Sequence, residues 1–479
     1  MMPMLDEVAN DDLAAKLRDA LGSDIVLTGN DVARYCTDWH GDVTTGAVAV
    51  LRPRSTEEVS SCVRMAARLG LAVVPQGGNT GLVLGATPDA PARQVVLSLE
   101  RMTGIRRIDP EDFSATVEAG CVLEAFKEEV SKAGLFFPLA LGSQGSCQIG
   151  GNVSTNAGGV NVLRYGMTRD LVLGLEVVLP DGTVFEGLSQ LRKDNRGIDL
   201  KQLFIGAEGT LGIITAVSVK LLPRPENVAT ALLALESLDG VMALYRRART
   251  QCCDLMSAFE FMPPLAMTLA QEAIPDLQIP IAADHPAYVL MEVSGSGLVD
   301  IDDLVSRFLE GAMEEGLVVD GVVAQSQTQA QNLWLIREGM NEGQAKRGKH
   351  LRTDVSVPLS KLADFVADAE AAIAEAMPGS VSVSYGHVGD GNVHLNVLPD
   401  FSQGPEQIDA QILGAKKIVN AVLDRYDGSI SAEHGIGRLK KPDFDARLPE
   451  TRRKLLLAIK NAIDPDWVMN PGSHFDRTR

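Results

Sequence analysis

The tract Leu141-Gly142-Ser143-Gln144-Gly145-Ser146-Cys147-Gln148-Ile149-Gly150-Gly151-Asn152, continuing through Ser154-Thr155-Asn156-Ala157-Gly158-Gly159, holds almost no bulky side chain. Glycine lets a backbone come close to a ligand, and Ser, Thr and Asn add hydrogen-bonding groups with little volume. Upstream, Gln76-Gly77-Gly78-Asn79-Thr80-Gly81 is a second loop of this kind. It is reached through a βαβ start: a strand over 47–51, a helix opened by Ser55 and Glu58 in capping-box spacing and closed at Gly70, then a strand over 71–75. The loop lacks the Gly-Lys-Ser/Thr of a P-loop and does not match G-x-G-x-x-G opening a helix, which argues against a nicotinamide cofactor. Together with Gly206-Ala207-Glu208-Gly209-Thr210-Leu211-Gly212-Ile213-Ile214-Thr215, the two tracts predict an extended cofactor containing a diphosphate. Asp181-Gly182 between two apolar runs adds a hairpin to the same region.

The chain of 479 residues, 45% of them apolar, is long enough for two or three domains with real cores. A formal charge of -19 argues against nucleic acid or an anionic membrane as the main partner. Any basic group that holds an anionic substrate must therefore be local. Six cysteines without C-x-x-C spacing suggest neither an iron–sulfur cluster nor a zinc knuckle, and read as reduced thiols. The first residues lack a basic and apolar leader pattern, and no apolar run approaches the roughly 20 residues that span a bilayer. A cytoplasmic protein is expected.

A different chemistry lies further along. Gly386-His387-Val388-Gly389-Asp390-Gly391-Asn392-Val393-His394-Leu395-Asn396 and, later, Ser431-Ala432-Glu433-His434-Gly435 gather three of the seven histidines with one glutamate. Two imidazoles and a carboxylate form a shell that a divalent ion such as zinc accepts, with a position left for substrate. His394 and Asn396 are two apart, so on a strand they share a face. Glu433 and His434 are adjacent and on extended backbone would point apart, so that one can ligate while the other serves as a base. The remaining histidines, His40, His285, His350 and His474, have no partner at metal spacing and read as surface or structural groups.

These motifs, spread over nearly the whole chain, resemble the FAD-dependent 2-hydroxy acid dehydrogenases of the vanillyl-alcohol oxidase and p-cresol methylhydroxylase fold superfamily, especially those acting on D-2-hydroxyglutarate and D-lactate. The resemblance implies FAD contacts from Pro75, Gly77, Gly78, Asn79, Thr80, Gly81 and Leu82 in the first loop. In the second it implies Gly142, Ser143, Gly145, Ser146, Ile149, Gly150, Gly151, Ser154, Thr155 and Asn156. Glu208, Gly209, Gly212, Ile213 and the C-terminal Asn470 complete the set. Some relatives attach the flavin through a histidine in the first loop; here Asn79 and Thr80 stand there, implying noncovalent FAD. The same resemblance implies His387, His394 and Glu433 as zinc ligands, Asn396 as a substrate contact and His434 as the base.

Substrate length is expected to turn on Arg337 and Arg352, two arginines in segments that the family brings to its active site and that suit a second carboxylate. Arg352 favours D-2-hydroxyglutarate, oxidised to 2-oxoglutarate, over D-lactate or D-malate. Asn341, where the hydroxyglutarate enzymes commonly have a small hydroxylated residue, is a departure that can still donate a hydrogen bond. The resemblance also implies an electron-transfer flavoprotein or quinone as electron acceptor, and the reading allows a homodimer. The fold expected is α+β: a two-subdomain FAD domain over 1–223, a substrate and metal domain over 224–448 with an antiparallel sheet covered on one side by helices, and a C-terminal helical segment over 449–479 returning to the flavin. Pro223 and Pro225 mark the first boundary.

Overall fold

The computed structural model describes residues 2–89, 93–474 and 476–477, which divide into two compact units. The first comprises residues 1–158, 167–224 and 433–479; the second 159–166 and 225–432. This differs from the sequence division at two places. The chain joins the first unit at Glu433 rather than at 449, because the backbone N–H groups of Ile436 and Gly437 donate to the Glu208 carboxylate, and that of Arg438 to the Val83 carbonyl. Residues 159–166 leave the glycine tract and join the second unit, where Arg164 donates to Ser294 Oγ at 2.6 Å.

Besides a short pair of Leu135–Phe136 with Leu222–Pro223, the first unit contains two main sheets, matching the two subdomains expected. In the smaller, Val26–Leu27, Ala49–Leu51, Gln94–Ser98 and Ala72–Gln76 lie in that order, the last three parallel. Parallel neighbours require a crossover, and the helix Thr56–Arg68 supplies it. Ser55 accepts from the Glu58 N–H at 3.3 Å, and the Glu58 carboxylate reaches back to the Arg54 N–H at 2.7 Å, so the capping box closes one residue earlier than its usual form. The larger sheet is antiparallel, in the order Ile105–Asp109, Ser114–Glu118, Ile213–Lys220, Val172–Val178, Val184–Gly187. The last two strands form the hairpin predicted at Asp181-Gly182.

The C-terminus closes this unit. Met469 pairs in parallel with Val73, and the Asn470 N–H donates to the Val73 carbonyl at 2.8 Å, so the segment lengthens the edge of the sheet whose edge strand opens into the first glycine loop. A buried pair holds it there. Lys460, 2% exposed, donates to Asp464 Oδ2 at 2.6 Å, to the Thr210 carbonyl at 2.7 Å and to the Met469 carbonyl at 2.9 Å. Asp464 in turn accepts the N–H groups of Val468 and Met469.

The second unit is built on a seven-stranded antiparallel sheet: Asp320–Val323, Asn227–Leu235, Ala287–Gly295, Met256–Met262, Val381–His387, Asn392–Leu398, Val355–Ser356. Helices cover both faces, not one. Ala231, Leu233, Val289, Met291, Phe259 and Phe261 face the helices Leu238–Gln251, Ile301–Glu314, Leu362–Ala376 and Pro405–Arg425. The alternate residues Leu232, Ala234, Tyr288, Leu290 and Tyr385 face Leu265–Ala273 and Gln327–Arg347. Strands buried at nearly every position, such as Ala287–Gly295, carry the signature of a two-sided core.

Removing one partner of a buried ion pair typically costs about 3–5 kcal/mol, whereas an exposed pair contributes under about 1. Lys460→Met should therefore lower unfolding stability in urea several-fold more than Lys132→Met, which breaks only the exposed pair with Glu129. Equal midpoints for the two variants would show that the C-terminal segment is not anchored by this lysine.

Candidate functional site

Strand alternation sorts the site. In the second unit Glu260, Tyr385, His387, His394 and Asn396 all fall on the face under the helix Gln327–Arg347, with His387 paired opposite Glu260 and His394 opposite Tyr385 in the ladder. His394 and Asn396 share a face as their spacing predicts. The turn between the two histidine strands needs Gly391, at φ +77°, where an added Cβ would run into the Val357 carbonyl oxygen.

The centre of this face is Glu260, 1% exposed. One carboxylate oxygen accepts from His387 Nδ1 at 2.6 Å, the other from Arg337 Nε at 3.0 Å. Burial opposes ionisation, but the contacts with His387 and Arg337 outweigh it and hold this carboxyl below its usual range. A carboxylate only accepts, so the His387 proton sits on Nδ1 and the lone pair on Nε2. His394 follows the same pattern: Nδ1 meets the Thr353 carbonyl at 3.3 Å, which again puts the lone pair on Nε2. The two rings are 5.8 Å apart and nearly perpendicular, with ring nitrogens within 4.8 Å of each other. Two imidazoles held in one tautomer by acceptors behind them are what a divalent metal requires.

Around them Tyr385, Asn341, Asn396 and Gln344 form one hydrogen-bonded chain. Tyr385 stacks on His394 at 5.0 Å and lies under the Arg337 guanidinium at 4.7 Å; its hydroxyl donates to Asn341 Oδ1 at 2.6 Å. The Asn396 amide donates to Tyr385 Oη at 3.1 Å and to Gln344 Oε1 at 3.0 Å, and its oxygen accepts from the Thr353 N–H. Arg337 is thus neither solvated nor paired with Glu338 or Glu342. Arg352 differs from it: it is exposed, and among the described residues no hydrogen bond or ion pair engages it, yet its charge is felt at the buried Tyr385 hydroxyl. Next to it Asp354, 1% exposed, accepts from Asn392 Nδ2 at 3.0 Å, and its carbonyl accepts from the Ala432 N–H at 3.3 Å. Glu433 and His434 follow that anchor directly, in bends rather than a strand.

Within the first unit, Glu433 lies against the second glycine tract, close enough that a Cβ at Gly158 would collide with its carboxylate. The tract is not a plain loop: residues Ile149–Ser154 form a short helix whose Ile149 and Val153 sit in the core. Gly78 and Gly150 are demanded by neighbouring chain, since added Cβ atoms would strike the Ser146 carbonyl and Ala119. Gly81, Gly142 and Gly151 instead face open space. Beside Gly77, Gln148 Oε1 is buried without a hydrogen-bond partner among the described residues, the kind of acceptor that a bound group with an N–H or O–H satisfies. Asn79, Asn156, Glu208 and Asn470 all take positive φ, a cost of order 1–3 kcal/mol each that clusters at ligand sites. These features fit a long cofactor laid across the two loops.

Several expected cofactor residues hold the loops rather than face outward. Ile149 and Ile213 are core residues, and Asn79 Nδ2 donates to the Thr37 carbonyl. Glu208, 8% exposed, is bonded by the N–H groups of Ile436 and Gly437 and by His474 Nε2 at 2.8 Å. Burial resists its ionisation, but His474 and the backbone donors prevail and hold its carboxyl low. Glu260, Asp354 and Gln148 were not legible from sequence. Glu260 lies in a motif-free apolar run, where only strand parity, known once the sheet is known, would have singled it out, and Gln148 is one polar residue among several in the second glycine tract.

Two family models match: one described as FAD binding domain over residues 47–187, the other as FAD linked oxidases, C-terminal domain, over 224–474. The chain is 40% identical over 465 residues to a protein named D-2-hydroxyglutarate dehydrogenase, mitochondrial, of Bos taurus, with 97% of this chain and 83% of that one aligned. It is 39% identical over 448 residues to D-2-hydroxyglutarate dehydrogenase of Xanthomonas citri pv. viticola, covering 93% of each. Among solved structures, p-cresol methylhydroxylase with substrate bound matches at TM-score 0.77 and 18% identity over 97% of both chains, which shows the fold. The expected superfamily fold is thereby borne out, and with both domain models matched in order the chain belongs to the FAD linked oxidases.

Proposed function

We propose that this protein oxidises D-2-hydroxyglutarate to 2-oxoglutarate, with noncovalent FAD and a divalent metal, zinc before others, held by His387, His394 and Glu433. The observation that carries the reading is the pair of histidines whose Nδ1 atoms are committed to Glu260 and the Thr353 carbonyl, so that both present Nε2 lone pairs. The names of the relatives from Bos taurus and Xanthomonas citri support the substrate. Arg352 supports its length: an exposed guanidinium with no partner among the described residues suits a distal carboxylate.

When bound, FAD would supply the acceptor for the C2 hydrogen and its electron pair, and a metal held by His387, His394 and Glu433 would supply Lewis acidity to the substrate hydroxyl. The chain's own residues do the rest. His434 takes the hydroxyl proton, the general-base role that histidine most often fills. Asn396 offers its amide, already oriented by Gln344 and Tyr385, to the substrate. Arg352 holds the far carboxylate and so fixes C2 in position. An electron-transfer flavoprotein or quinone would reoxidise the flavin. The open glycines Gly81, Gly142 and Gly151 support an FAD path over the first unit, and the absence of a histidine at Asn79 and Thr80 supports noncovalent attachment.

Anaerobic mixing with D-2-hydroxyglutarate should bleach the flavin absorbance, faster than D-lactate or D-malate and with no reaction from the L-isomer. Bleaching by D-lactate alone would give the activity to the smaller substrate, and bleaching by dithionite but by none of these acids would remove the dehydrogenase reading. His434→Ala should keep flavin bound while slowing its reduction by about 100-fold or more, in line with the contribution of a general base. Undiminished reduction would take the base role from it. Arg352→Ala should raise KM for D-2-hydroxyglutarate at least about tenfold, a charge-assisted hydrogen bond being worth about 1.5–3 kcal/mol, with little change on D-lactate. Equal losses on both substrates would refute the distal role.

A further inference from the structure

We infer that Glu260 is a positioning residue that sets two groups at once: the protonation pattern of His387 and the orientation of Arg337. The inference rests on the metal reading above and goes beyond it, since Glu260 would touch neither metal nor substrate. Its side chain is buried on the strand Met256–Met262, and its two oxygens are divided, one to His387 Nδ1 at 2.6 Å and one to Arg337 Nε at 3.0 Å.

Both bonds are one-directional. Arg337 Nε can only donate, and a carboxylate that takes that bond on one oxygen accepts from His387 Nδ1 on the other. The consequence for His387 is that Nε2 is kept as the lone-pair nitrogen, the only form in which that nitrogen can ligate. The consequence for Arg337 is that its guanidinium is fixed flat over the Tyr385 ring, 4.7 Å from the centroid, with Nε withdrawn from service and the terminal nitrogens left to define its direction. Tyr385 in turn orients Asn341 and Asn396, and stacks on His394. One carboxylate thereby registers the metal side and the arginine side of the face against each other. Its charge also balances the Arg337 cation, which would otherwise sit buried and repel a bound dication.

An amide in its place cannot reproduce this. A glutamine at 260 has one accepting and one donating end, so either His387 Nδ1–H or Arg337 Nε–H would face another N–H. The strain is relieved by moving the His387 proton to Nε2, which blocks that nitrogen as a ligand.

The test uses the full-length flavoprotein, stripped with chelator and titrated with zinc by equilibrium dialysis, in wild type, Glu260→Gln and Glu260→Asp. Glu260→Gln should bind zinc about 10–100-fold more weakly than wild type, the usual loss when the group behind a ligating histidine is removed. It should keep its flavin, and excess zinc should restore much of its flavin reduction by D-2-hydroxyglutarate. A purely structural residue would not be rescued by metal. Glu260→Asp retains the charge with one methylene fewer and should fall between the two. It carries the test alone if the amide variant does not fold. Wild-type zinc affinity in either folded variant overturns the inference while leaving the metal reading intact. A wild-type protein that binds no zinc, and whose reduction rate ignores chelation, removes the metal reading itself and this inference with it.

Discussion

A carboxylate with no exposure to water is the constraint around which the second unit's polar face is arranged. Burying an unpaired charge costs several kcal/mol even after relaxation, so Glu260 persists only because two N–H donors, one of them the Arg337 cation, converge on it from different elements. One comes from the neighbouring strand, through a ladder register that places His387 opposite Glu260. The other comes from the covering helix Gln327–Arg347, whose Leu333, Ile336 and Met340 pack on the same face and fix where Arg337 falls. The apolar packing and the ionic triad therefore depend on each other. Neither the helix position nor the histidine tautomer is free once the other is set.

The first unit solves a related problem with backbone. Its glycine tracts lack side chains that could hold them in place, so their shape is imposed from outside by chain that returns late in the sequence. Glu208 collects the N–H groups of Ile436 and Gly437, Arg438 donates to the Leu84 and Gly85 carbonyls and to Asn470, and Lys460 ties residues 210 and 469 to Asp464. Arg438 makes these bonds against burial, which lowers its pKa, and the nearby Asp89 and Glu208 charges offset part of that cost. A loop braced this way can keep positive φ at Asn79, Asn156, Glu208 and Asn470 without collapsing into a more comfortable conformation.

What could be read from sequence follows from which interactions are local. The capping box at Ser55, the hairpin at Asp181-Gly182, and the shared face of His394 and Asn396 depend on residues within a turn or two, and all are present. The glycine tracts were legible because composition alone marks them. Glu260 was not, because it sits alone in an apolar strand and acquires meaning only from a partner 127 positions away. The helices on both faces were missed for a kindred reason: the strands Asn227–Leu235 and Ala287–Gly295 carry unbroken apolar runs over 231–235 and 287–291, and such a short run does not say whether one face or two are covered. The domain edge at Glu433 likewise depends on bonds to Glu208, over two hundred positions earlier, as their separation of 228 shows.

The two arginines separate once this is seen. From sequence both are candidates for a second carboxylate in a chain of net charge -19, with Arg352 the one that favours the longer substrate. In the fold, Arg337 is 6% exposed and its charge is already met by Glu260, so an incoming carboxylate would compete with a buried ion pair. Arg352 is exposed and has no such counter-charge on it among the described residues. A substrate anion gains most from the cation that is not yet neutralised, since the alternative requires breaking a contact whose loss leaves Glu260 partly stranded. In the proposed reaction, discrimination by length would therefore fall to Arg352, and Arg337 would contribute through the direction it gives to Tyr385 and, by way of that ring, to Asn341 and Asn396.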